Sequence, residues 1–217
     1  MNKIVIIFFL ILISITVNAQ SLIEKIKENT CNCITENPDI QIEEFLECLK
    51  FDITEFEKEI QAMIDPDSEL SEYDQGVILG ENIMFDLQST LIHNCDAYYK
   101  FFIKLKEPSM VPLKDNYPLK AKDSLNKLIS KNKTAELLFE RGNYYYSNNK
   151  LRKAEKNYLN CLSIDPNYVL AKFYLGSLYE KKENYTKAIK LYQELIDETG
   201  KREFIIYMEI AKRKSLN

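Results

Sequence analysis

The chain has 217 residues, 46% hydrophobic and 29% charged, with only 5 Gly and 6 Pro. That composition is that of a globular rather than a disordered chain and, being rich in Lys, Glu, Leu and Ile, favours helices over tight β-turn architecture. A formal charge of -4 without a block of Lys and Arg excludes a phosphate-tracking surface, so no nucleic-acid partner is expected.

The first residues read as an address rather than as fold. Lys3 is followed by an almost purely apolar run over 4–17 and by Val17-Asn18-Ala19, where a signal peptidase would cut. Residues 1–19 are therefore expected to form a cleavable secretory signal, leaving Gln20 first and the body of the protein secreted or periplasmic. The strongly apolar part falls short of the roughly 20 residues that span a bilayer. Membrane contact would arise only if the signal were retained.

Residues 20–105 read as an all-α module. Leu22, Ile23, Ile26 and Cys33 fit one helical face; Pro38-Asp39 ends it, and Asp39 can cap a second helix with Ile42, Phe45, Leu46 and Leu49 inward. Ile53, Phe56, Ile60, Met63 and Ile64 keep the 3.6-residue rhythm as far as Pro66. One long helix then carries Val77, Met84, Leu87, Leu91, Cys95, Tyr98, Phe102 and Leu105 on a single stripe.

Four cysteines lie in this module, Cys31, Cys33, Cys48 and Cys95, and an even number in a small exported domain reads as two disulfides. Neighbours two apart on a helix point away from each other, so Cys31 and Cys33 are expected to reach Cys48 and Cys95, in either pairing. Each bridge would contribute about 2 to 4 kcal/mol. A zinc set of Cys31, Cys33, His93 and Cys95 is the sharper alternative, but its one-residue spacings are short for zinc modules and it strands Cys48. His93, the only histidine, is expected to be structural or exposed. No phosphate loop, nucleophile elbow or His-Glu-x-x-His pair occurs, so no catalytic residue, metal or cofactor is expected.

Pro108, Pro112 and Pro118 mark 106–118 as a linker. Residues 119–134 follow as a packing helix with Leu119, Leu125, Leu128 and Ile129 inward. Beyond it, the chain aligns with itself at a shift of 34: Gly142 with Gly176, Tyr145 with Tyr179, Ala154 with Ala188 and Tyr158 with Tyr192. The small residues suit close helix approach, and the tyrosines fill the space between helices.

This pattern over 135–200, with Leu138 and Pro166 in the first copy and Leu175 in the second, resembles the tetratricopeptide repeat. Arg141, Lys172 and Gly200 depart from it, standing where that family usually has a Leu, an aromatic and a Pro. Residues 201–217, with Phe204, Ile205, Met208 and Ile210, are expected to cap the stack. Cys161 falls where the family has Ala and is expected to be buried and unpaired.

The resemblance implies a concave groove lined by Glu136, Phe139, Asn143 and Tyr146 of the first copy and by Leu170, Phe173, Ser177 and Glu180 of the second. Phe139 and Phe173 would stand side by side to grip an apolar side chain, with Asn143 bonding the backbone of a bound peptide. Some family members clamp a C-terminal carboxylate with Lys, Asn and Arg. Here Asn143 fits, but Phe139 and Tyr174 occupy places that need Lys and Asn. The function implied is that of an exported adaptor for a protein or peptide. The alternative is a structural subunit that makes its contact through the four-Cys module.

Overall fold

A computed structural model of the protein describes residues 23–49, 57–109 and 121–216, and every regular element among them is a helix. The expected signal peptide, Leu22, Ile53, Phe56, Leu119 and most of the expected linker lie outside the described residues. These residues fall into two compact units, one ending at Tyr99 and the other beginning at Lys100.

In the first unit, α1 (23–36) turns Ile26, Thr30 and Ile34 inward, the i, i+4, i+8 face of one helix. A turn at Pro38-Asp39 leads into α2 (Ile42–Cys48). Its cap is Gln41 rather than Asp39: the Glu44 carboxylate accepts the Gln41 backbone N–H at 3.1 Å. Phe45 and Cys48 face the core, whereas Ile42 and Leu46, expected inward, are 50% and 55% exposed. With only two turns, α2 offers one narrow stripe, and the bridge-forming Cys48 decides which stripe is turned in.

After the short α3 (Glu57–Gln61), α4 (Glu72–Asn94) starts at Ser71, whose hydroxyl accepts the Asp74 N–H at 3.1 Å. The long helix expected from the stripe is in fact two. Cys95 takes an extended conformation between α4 and α5 (Asp96–Ser109), although its N–H still bonds Leu91. A one-residue break leaves the hydrophobic period almost unchanged, so periodicity cannot register it.

Cys95 is bridged to Cys31, and Cys33 to Cys48, with Cα–Cα separations of 5.8 and 5.7 Å. The bridges tie α1 to α2 and to the α4–α5 junction and consume three of the four ligands of the alternative zinc set. The core they surround is mostly aliphatic: Ile26, Ile34, Leu87, Leu91 and Ile92, with Tyr98 against Phe45.

The second unit takes the later turns of α5 and then α6 (Ala121–Lys131), α7 (Ala135–Ser147), α8 (Leu151–Ile164), α9 (Val169–Lys181), α10 (Tyr185–Thr199) and α11 (Glu203–Ser215). From α6 onward each helix packs on the next. Leu125 and Ile129 of α6 rest on the core, while Leu128 points to solvent. The backbone of α5 stays helical through Ser109, so its Lys106 is a helical residue and not part of a linker.

Candidate functional site

The two central hairpins, α7–α8 and α9–α10, share their joints as well as their period. Just beyond each first helix stands a residue at positive φ, Asn149 at 55° and Glu183 at 58°. The bonds Lys150 N–H to Tyr145 and Asn184 N–H to Tyr179, each 2.8 Å, close equivalent left-handed caps. Lys153 lies 5.6 Å from the Tyr145 ring centre and Lys187 5.0 Å from that of Tyr179, again 34 residues apart. A β-carbon at Gly142 would stand 2.5 Å from Tyr158 Cε1, and one at Gly176 2.8 Å from Tyr192 Cε1. Glycine is required there because a fully buried tyrosine lies flat against the helix.

The three departures from the pattern each have a partner. Arg141 donates from Nε to Asn157 Oδ1 (2.7 Å) and from Nη1 to Asn126 Oδ1 (2.9 Å), tying α7 to α8 and α6. Lys172 is buried and ion-paired to Glu198. Gly200 takes φ +67° as the left-handed cap of α10, a conformation closed to proline, and its N–H bonds Ile196. Cys161 is buried and unpaired, and burial raises its thiol pKa to about 11.

Residues 135–168 and 171–200 each match a family model for the tetratricopeptide repeat. The two hairpins are tetratricopeptide repeats. No curated protein and no solved structure gives a significant match to the chain.

The residues expected to line the groove are brought together, but most of them face inward. Glu136 and Leu170 are exposed and Phe173 is half-buried; Phe139, Asn143, Tyr146, Ser177 and Glu180 are buried. Tyr174 sits between the two phenylalanines, 5.9 Å from Phe139 and 5.5 Å from Phe173. Phe139 packs on Tyr168, and Phe173 on Phe204 and Tyr207 of α11.

The polar groups form a seam along the repeats. The Tyr158 hydroxyl donates to Asn143 Oδ1 at 2.7 Å, so that carbonyl is already engaged within its own hairpin. Tyr146 and Ser177 bond hydroxyl to hydroxyl at 2.7 Å across the two repeats. Tyr192 donates to Glu180 Oε1 at 2.7 Å, as does Lys106 of α5, also at 2.7 Å, while Lys214 reaches Oε2 at 3.4 Å. Burial raises the Tyr146 hydroxyl to about 12 and holds that of Tyr192 well above its usual value. Burial also pulls the Lys106 ammonium down to about 8, opposed by Glu180.

Two features lay beyond the reach of sequence reasoning: Lys106 as a groove residue, and the Glu180 carboxylate as a buried acceptor. Lys106 follows the last stripe position Leu105, and nothing in its spacing connects it to a residue 74 positions away.

Proposed function

We propose that this protein is an exported adaptor that holds a protein or peptide partner on the concave face of its tetratricopeptide repeats. The observation that carries the reading is the pair of repeats itself, since stacked hairpins of this kind are protein-interaction modules whose first helices line an extended surface. Leu170, 51% exposed on α9, together with Glu136 and Phe173, is the part of that face open to a partner. Export is supported by the two disulfides, which persist in oxidising compartments, and by the signal-like pattern of 1–19. Among the described residues no helix is long and apolar enough to cross a membrane.

Affinity capture from envelope and secreted fractions tests the reading, with wild type beside Leu170→Glu. Loss of a specific partner from the variant, at unchanged helical circular dichroism, is the expected result. Equal retention overturns the groove reading.

One observation favours the alternative, a structural subunit contacting its neighbours through the four-Cys module. Ile42 and Leu46 lie one turn apart on α2 with half their surface exposed, and Tyr73 and Val77 do the same on α4 at 79% and 45%. Loss of the partner from Leu46→Glu and not from Leu170→Glu would select that reading.

A further inference from the structure

At its Glu180 end the repeat surface is already occupied. Lys106 of α5 places its ammonium 2.7 Å from Glu180 Oε1, with only 7% and 5% of the two side chains exposed. The same ammonium lies 5.1 Å from the Tyr207 ring centre and 5.8 Å from that of Tyr192. Phe102 and Leu105 stand four residues and one residue before it, on one side of the helix. With Lys106 they line a cavity of about 200 Å³ against Glu203, Ile206 and Tyr207. Two apolar anchors and a cation on one helical face are what a groove reads in a bound helix.

The fit is incomplete. Leu105, on the rim of that cavity, remains 40% exposed. Burial opposes the Lys106 charge and Glu180 supports it, so the pair contributes less to stability than its 2.7 Å distance suggests. Glu180, by contrast, is fixed in advance by Tyr192 and Lys214. A helix that brings its own cation and covers more of Leu105's place would meet a prepared carboxylate and compete with the Lys106 segment for it.

We propose that residues 102–106 are an internal stand-in for the partner, and that the partner is a helical segment carrying two apolar side chains and a Lys or Arg at the spacing of Phe102, Leu105 and Lys106, seated on Glu180 in their place. This rests on the adaptor reading and gives it a ligand chemistry: basic and amphipathic.

The probe is a fluorescein-labelled synthetic peptide of residues 96–109, titrated by anisotropy into the full-length, disulfide-intact protein. Wild type should bind it weakly, because its own Lys106 competes. Lys106→Ser should bind at least about 30-fold more tightly, since the incoming lysine meets no competitor for its place on Glu180 Oε1. A peptide carrying Lys106→Glu should lose that gain by a similar factor, and this comparison leaves the protein unaltered. Equal affinity of the two proteins for the peptide, indifference to the peptide's lysine, or no binding at all overturns the proposal. If the peptide fails while a native partner is still lost on Leu170→Glu, the adaptor reading stands and only this inference falls.

Discussion

In the unit ending at Tyr99, aliphatic side chains such as Ile26, Leu87, Leu91 and Ile92 fill the centre and two disulfides fix which helix meets which. In the unit beginning at Lys100, the largest fully buried side chains are mostly tyrosines, Tyr144, Tyr146, Tyr158 and Tyr192, and no bridge is present. Aliphatic groups pack without strong orientation, so covalent links supply the register. A buried tyrosine needs a partner for its hydroxyl, and the bonds to Asn143, Ser177 and Glu180 supply register by polar matching instead.

The comparison breaks most visibly on loss of a bridge. Cys31→Ser/Cys95→Ser opens a 64-residue separation and should cost the first unit about 4 kcal/mol. Hydrogen exchange should then become fast in α1 and α2 and stay slow in α7 to α10. Gly142→Ala attacks the other unit, where the new methyl meets a tyrosine ring with no room to move. About 2 kcal/mol of destabilisation in urea unfolding is expected, and less at Gly176→Ala, where the approach is looser.

Two groups give the second unit opposite pH dependences over the alkaline range: Cys161, whose raised thiol favours the lower pH, and Lys106. At Lys106 the folded chain releases its proton near 8 and the unfolded chain near its ordinary value, so between these pH values the unfolded chain holds more protons at this site and its contribution to stability rises with pH. The change in unfolding free energy from pH 7.5 to 9, read from urea titrations, should favour pH 9 by about 1 kcal/mol more in wild type than in Lys106→Met. The smallest effect is expected at the repeat joint. Glu183→Gly relieves a left-handed residue at φ 58° and should raise stability by about 0.5 kcal/mol in a thermal scan.

The repeats were legible because Gly142, Gly176, Ala154, Ala188 and the paired tyrosines recur at one period, and each type answers a local packing need. The cysteine pairs were legible as a set but not as a connectivity, since Cys31 and Cys33 share one helix and either could reach Cys95. Hidden from the sequence were the break at Cys95, where one extended residue barely disturbs a helical stripe, and the outward turn of Ile42 and Leu46 on a helix too short to average its pattern. The eight groove positions that the repeat pattern marks all lie on α7 and α9. Tyrosines of α8 and α10 bond Asn143 and Glu180, and Lys106 enters from α5, through contacts that depend on how whole helices lie against each other and leave no mark in the repeat period.

The claim that the repeat surface binds a partner is tested most directly by capture on wild type and on Leu170→Glu, a substitution at a half-exposed position that leaves the tyrosine seam intact. A partner held by wild type and lost by the folded variant is the result expected here. A partner held equally by both would contradict the account and move the contact to the exposed faces of α2 and α4.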